Sequence, residues 1–232
     1  MANDWKRIGI IGGLGPLACG YFYVRLVGLT EAKSDEEHPE VLLISNPEIP
    51  SRLGHLLSGG PSPIPSLQHV ARRLEDAGAE IIAMPSITTQ AYHREVALSV
   101  SVPVVNMLAA VARSLRSSGV QRPSLAMTDG ARQANLFHEA LTREGLAPNY
   151  PDDATQHRIQ ECVGLVKEGQ VSDAQSQFRT AVSGSWTSAG DALVIGCTDL
   201  SPLLPDLPAG AHDVSQIYAR EVLNLARIEA GS

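Results

Sequence analysis

Apolar, β-branched runs recur along the chain at Ile8–Ile11, Val41–Ser45, Ile81–Met84, Val102–Val105, Ser124–Thr128 and Ala192–Ile195. Between them lie stretches of helical periodicity at Leu67–Ala77, Leu108–Leu115, Gln133–Arg143, Thr155–Lys167 and Ser172–Val182. Several of these stretches close on a glycine, Gly78, Gly119, Gly145 or Gly169, as helices ending in a left-handed residue do. Short strands that are apolar throughout, alternating with helices, can bury both faces only as parallel sheets covered by helices. The expected fold class is therefore α/β.

A weak internal echo refines that expectation. IIAMPSITT and ALVIGCTDL each run from an apolar strand through a small residue or proline to Ser86 or Cys197, with a threonine within two positions. The two segments lie close to half the chain apart. This predicts two similar lobes, each presenting a nucleophilic side chain at the carboxyl end of a strand, where open α/β sheets bind ligands. The expected division is 1–107 plus 208–232 for the first lobe and 108–207 for the second, with a C-terminal helix over Val214–Ala230 packing back on the first. The stretch GGPSPIPS at 59–66 reads as a loop of rim or lid length.

Composition excludes several classes. A formal charge of −7 disfavours nucleic acid and anionic membrane surfaces as partners, since both select for basic patches. No apolar run reaches the roughly 18–20 residues of a membrane span. The opening MANDWKRIGIIGG lacks the apolar core and cleavage site of a secretory signal, so a cytoplasmic location is expected. Three cysteines, Cys19, Cys162 and Cys197, without a CxxC pair suit neither a disulfide framework nor structural zinc. Five of the seven histidines, His38, His93, His138, His157 and His212, are scattered, and no pair of them has metal-ligand spacing.

The motifs divide into those with a bland reading and those that carry chemistry. IGIIGGLGPLA is a strand, a Gly-rich turn and a helix, but GGLGP does not fit GxGxxG, which leaves a tight turn letting backbone N–H groups approach a small ligand. A free buried cysteine is ordinarily inert packing, and Cys19 and Cys162, inside helical segments, read that way. Cys197 differs by position: it follows a strand and precedes Thr198 and Asp199, where a helix start would lower its pKa and make a thiolate base or nucleophile. Thr198 and adjacent N–H groups could hold a carboxylate or oxyanion. ISNPEIPSR places Asn46 and Arg52 on a Pro-rich loop, where a solvated arginine is ordinary but a guanidinium also matches a carboxylate bidentately. Ser86, Thr88 and Thr89 form a hydroxyl cluster, and no histidine lies close enough in sequence to suggest a triad. Lys167 in LVKEG reads by default as a solvated residue in a helix's last turn.

Together these segments resemble the aspartate/glutamate racemase family of cofactor-independent, two-cysteine enzymes. The resemblance runs through IGIIGGLGP, ISNPEIPSR, AMPSITT, MTDGARQ, LVKEG and VIGCTDLSPLL in order, and so covers nearly the whole chain. It implies two Rossmann-like lobes with the active site in the cleft between them, a homodimer, and neither metal nor pyridoxal phosphate. One thiolate of such an enzyme removes the α-proton and the opposite thiol returns one. Carried over residue by residue, Cys197 matches the second cysteine with Thr198 beside it, Arg52 and Lys167 match basic positions associated with substrate carboxylates, and Thr128 matches a hydroxyl position on the second lobe. Asn46 and Thr88 complete the expected substrate-binding set.

The first cysteine is absent. Where the family reads Met-Pro-Cys-Asn-Thr-Ala-His, this chain has MPSITTQ, so that Ser86, Ile87, Thr89 and Gln90 all depart. A hydroxyl is a far weaker acid than a thiol and without a partnered base is a poor proton abstractor. Ser86 is thus expected as a clamp or weak acid and Cys197 as the strong acid/base, acting on aspartate, glutamate or a related small carboxylic acid. Ile87 implies a less polar pocket than the family's. The rival readings are a one-cysteine decarboxylase of the arylmalonate type, an isomerase or lyase, and a non-catalytic carboxylate-binding homologue.

Overall fold

The computed structural model describes residues 5–203 and 210–228. The expected lobe boundary between 207 and 208 lies outside them, and the C-terminal helix expected to run to Ala230 ends at Ala226, where Arg227 makes an isolated bridge to Trp5 instead. The chain divides into two compact units, Met1–Met107 with Tyr218–Ser232, and Leu108–Ile217.

The first unit is built on β1 (Ile8–Gly12), β2 (Val41–Ser45) and β3 (Ile81–Ala83), all parallel in the order β2-β1-β3. Every residue of β1 is buried, which is why that strand has no polar alternation. Its helices are α1 (Pro16–Leu29), α2 (Arg52–Ser58), α3 (Ile64–Asp76) and α4 (His93–Ala97). The α3 helix buries Leu67, Val70, Ala71 and Leu74, an i, i+3, i+4, i+7 stripe laid against Ile11, Ile82 and Met84. The run Val102–Val105 makes only an isolated bridge, Ile82 with Val104. Pro103 has no N–H to give a ladder, although its carbonyl still accepts from Ile82 N–H at 2.8 Å. The loop expected over 59–66 is shorter than predicted, because Pro65 lies in the first turn of α3, where its fixed φ suits a helix start.

Past α5 (Met107–Ser117), the second unit is built on β4 (Pro123–Ala126), β5 (Ala192–Ile195) and the two-residue β6 (His212–Asp213), parallel in the order β4-β5-β6. Its helices are α6 (Asp129–Gln133), α7 (Leu136–Arg143), α8 (Asp153–Lys167), α9 (Val171–Val182) and α10 (Ser185–Ala189); α11 (Val214–Ala226) leaves β6 and ends in the first unit. The single helix expected over Gln133–Arg143 is broken at Asn135, whose φ of 56° puts it in the left-handed region that asparagine tolerates. Gly78, Gly119, Gly145 and Gly169 all have φ between 78° and 95°, as helix-closing glycines should. Ile159, Cys162, Val163 and Val166 of α8 pack with Ala174, Phe178 and Ala181 of α9 against Ala126 and Ile195.

The two units share a topology. Bridges at Val104 in one and Asn149 in the other extend the sheets to β2-β1-β3-Val104 and Asn149-β4-β5-β6. The strands before Ser86 and before Cys197, β3 and β5, occupy the same third place. The sequence echo therefore marks equivalent strands of two similar α/β units with parallel sheets. Among the described residues, no helix is long and apolar enough to cross a membrane.

Candidate active site

In the first unit the expected residues gather at the carboxyl ends of the strands. The turn after β1 lies flat on the loop after β2: Asn46 N–H donates to the Gly12 carbonyl at 3.2 Å, and a Cβ on Gly13, whose φ is 89°, would run into the Asn46 backbone. Loop-on-loop packing, rather than approach to a ligand, is what this structure asks of Gly13. The Asn46 side chain accepts from Glu48 N–H at 3.0 Å and so shapes its own turn. Arg52 stands at the first position of α2, capped by Ser51, and not on the irregular loop the prolines suggested. Its guanidinium donates to the carbonyls of Ile49 at 3.4 Å, Pro50 at 3.3 Å and Leu14 at 3.3 Å. Arg52 thus ties the Gly-rich turn to the loop after β2 and remains half-buried.

Ser86 lies just past β3 and is 5% exposed. Its N–H donates to the Met84 carbonyl at 2.8 Å, and the same carbonyl accepts from Gln90 Nε2 at 2.8 Å. Gln90 Oε1 accepts in turn from Met107 N–H at 3.0 Å. The Met84 N–H donates to the Tyr218 hydroxyl at 3.0 Å, which donates to the Val105 carbonyl at 2.8 Å. Burial pushes the Tyr218 phenol well up, so it stays a neutral donor. Both polar groups of Met84 are thereby fixed, and Ser86 with them. Among the described residues no histidine or carboxylate is bonded to the Ser86 hydroxyl. Thr88 opens a 3-10 turn, Thr88–Tyr92, and Tyr92 at its end bonds His55 Nδ1 at 2.8 Å and the Arg52 carbonyl at 3.2 Å. Gln90 and Tyr218 escaped the sequence reading: Gln90 looked like a lost histidine, and Tyr218 bonds Met84 across 134 residues.

The second unit repeats the placement. Thr128 caps α6, its hydroxyl accepting from Ala131 N–H at 3.2 Å. Gln156, also unforeseen, donates to the Met127 carbonyl at 2.9 Å and to Asp129 Oδ1 at 2.7 Å, fixing the end of β4. Gly196 N–H donates to the Ala126 carbonyl at 2.7 Å, which sets Cys197 just past the end of β5 at Ile195. Cys197 is 8% and Thr198 6% exposed. Lys167, exposed at the end of α8, is near enough for its charge to act on the Cys197 sulfur.

The electrostatics of Cys197 reverse the expectation. Burial pushes its thiol up to about 12, with the Asp199 carboxylate adding to the rise, while the N–H groups of Asp199 and Leu200 and the Lys167 charge pull the other way. Among the described residues, the expected helix start is a turn followed by a 3-10 turn, Ser201–Leu203. That is too little aligned dipole to outweigh burial. The resting side chain is a protonated thiol. Among the described residues, no cluster of three or more His, Cys, Asp or Glu is placed to hold a metal.

Known proteins place this arrangement in a family. The profile of the Asp/Glu/hydantoin racemases matches residues 11–219. The broad specificity amino-acid racemase RacX of Bacillus subtilis is 20% identical over 206 residues, spanning 85% of this chain and 87% of that one. Among solved structures, the aspartate racemase of Picrophilus torridus superposes with a TM-score of 0.85 at 24% identity, covering 95% of this chain and 94% of its own. A sulfate-associated mutant of arylmalonate decarboxylase reaches 0.55 at 18% identity, over 97% and 94% of the two chains. These structural likenesses establish the fold, and the profile spans most of the sequence. The chain belongs to the Asp/Glu/hydantoin racemase family.

Proposed function

We propose that this protein is a cofactor-independent racemase or epimerase-type enzyme that transfers the α-proton of aspartate, glutamate or a related small carboxylic acid through Cys197. The supporting observation is the placement of Cys197 just beyond β5, with Thr198 buried beside it and the Lys167 charge within reach of the sulfur. In the proton-returning step the Cys197 S–H bond breaks and a C–H bond forms at the α-carbon of an enolate-like intermediate, leaving a thiolate. In the abstracting step the thiolate takes the proton and the C–H electron pair moves into the carboxylate. Ser86 serves as a clamp or weak acid, and Asn46, Arg52, Thr88, Thr128, Lys167 and Thr198 are assigned to the substrate. The enzyme is assigned as a cytoplasmic homodimer; sedimentation of the purified protein checks the dimer, and cell fractionation the location.

One observation favours a second reading within the same chemistry. A thiol pushed up to about 12 rests protonated, so the form present can donate a proton but not accept one, and among the described residues no histidine or carboxylate is bonded to the Ser86 hydroxyl. A one-cysteine enzyme, such as a decarboxylase, isomerase or lyase that needs a single protonation, suits that arrangement. Thermal-shift screening of amino and dicarboxylic acids, followed by proton NMR of the hits in deuterium oxide, decides. A racemase incorporates deuterium at the α-position without losing substrate, a decarboxylase incorporates it only in a product shortened by carbon dioxide, and a ligand bound without either change leaves a carboxylate-binding homologue.

A further inference from the structure

The residue four positions past Ser86 and the residue four positions past Cys197 do the same job in the two units. In the first unit Gln90 reaches the Met107 N–H, at the start of the helix after the last strand position, at 3.0 Å. In the second, Ser201 Oγ donates to Asp213 Oδ1 at 2.7 Å, and that same oxygen accepts from Ser215 N–H at 2.9 Å, in the first turn of α11. Asp213 pairs in register with Ile195, two residues before Cys197. Ser201, Asp213 and Ser215 are each no more than 3% exposed. The turn between is closed by Leu200 N–H donating to the Cys197 carbonyl at 3.0 Å.

We infer that Ser201 and Asp213 form a latch that positions Cys197. The carboxylate holds the far end of the Cys197 turn against β6 and the start of α11, so that the sulfur stays buried and fixed at the end of β5. The carboxylate whose charge raises the thiol is Asp199, and the role assigned to Asp213 is a different one. Its action is geometric, through a charge-assisted hydrogen bond. This assignment rests on the reading of Cys197 as the acid/base, but its first test needs no substrate. A positioning residue should govern how often the turn opens, and an open turn exposes the thiol.

The test is alkylation of the folded protein by iodoacetamide at alkaline pH, followed peptide by peptide. Cys162 is the internal control, because it lies fully buried in the same core as Cys197 and reports opening of the whole unit. Asp213→Ala and Ser201→Ala should each speed alkylation of Cys197 by about ten-fold or more, the scale of losing one hydrogen bond to a charged group, while Cys162 reacts at its wild-type rate. Asp213→Asn keeps an oxygen acceptor and should fall much closer to wild type than to Asp213→Ala. If Asp213→Ala does not fold, Ser201→Ala alone decides. Wild-type Cys197 reactivity in Ser201→Ala, equal acceleration at Cys162, or an Asn variant as reactive as the Ala variant would each overturn the latch. Once a substrate is known, Ser201→Ala should lower kcat with little change in KM. Absence of any turnover in the wild type would count against the enzymatic reading and leave the alkylation result standing.

Discussion

At neutral pH the Cys197 side chain is an acid waiting for an anion. Burial keeps its proton on, so the step it performs unaided is donation, and a substrate must help to generate the thiolate. Cys197→Ala should therefore cut turnover by about a thousand-fold, within the range of a lost acid/base group, while the deleted sulfur costs only about 1 kcal/mol of stability. Turnover at the wild-type rate in that variant would end the one-thiol mechanism. Ser86→Cys tests the other position. Its backbone is already held by the Met84 network, so a thiol there should raise α-deuterium exchange of one enantiomer by about ten-fold or more. The gain should stay partial, because Ile87, Thr89 and Gln90 have diverged with it and orientation counts as much as acidity. Wild-type protein should exchange the opposite enantiomer preferentially; equal exchange of both would make Ser86 a full second base. Arg52 shows where residue-level reading stops. Its type suggested a carboxylate clamp, but its bonds to the Leu14, Ile49 and Pro50 carbonyls depend on loops brought together by the sheet. Arg52→Ala should consequently lose about 1–2 kcal/mol of stability as well as affinity, and unfolding at an unchanged midpoint would return the guanidinium to substrate binding alone.

The elements were largely legible because their causes are local. Apolar runs became the strands, fully buried in β1, β3 and β4 though not in β2, and four glycines closed four helices in the left-handed conformation. The elements that differ do so for reasons that periodicity does not carry. Pro103 reduces an apolar run to one bridge, Asn135 divides one helical stretch into α6 and α7, and β6 is two residues long, below any pattern's reach. Hidden entirely was the way α11 supports the end of β3. Tyr218 fills that role with one hydroxyl, accepting from Met84 N–H and donating to the Val105 carbonyl. Tyr218→Phe would leave both groups buried and unpaired while keeping the ring's packing against Phe22. The expected cost is about 1–3 kcal/mol, with amide exchange at Met84 accelerated ahead of the rest of the first unit. Protection unchanged at Met84 would show that another group had taken over the bond.

At the scale of the whole molecule, two α/β units carry the same strand order, the same placement of a Ser or Cys beyond the third strand, and the same staple four residues later. The first two features left a trace in the sequence, as the echo of IIAMPSITT in ALVIGCTDL. The staples did not, since one uses an amide and the other a hydroxyl with a carboxylate. The halves differ in what they bury at the equivalent point, a hydroxyl in one and a thiol in the other, and this asymmetry has a thermodynamic consequence. In the unfolded chain a thiol ionises at about 8.5, whereas in the folded second unit Cys197 keeps its proton up to about 12. Between those values the unfolded state binds fewer protons than the folded one, so stability must fall as pH rises. It is fully present below the unfolded value and is lost progressively above it, by about 1.4 kcal/mol per pH unit for this one group. Cys162, whose thiol burial also pushes up, adds to the trend in the same unit. Denaturant midpoints taken from pH 7.5 to about 10.5 should decline along a slope that Cys197→Ala makes shallower and Ser86→Ala leaves alone. The Ser86 hydroxyl does not ionise in either state over that range, so the comparison isolates the thiol. A Cys197→Ala slope superimposable on the wild type would mean that the sulfur is solvated or ionised in the folded protein, and the account of Cys197 as a resting acid would fall with it.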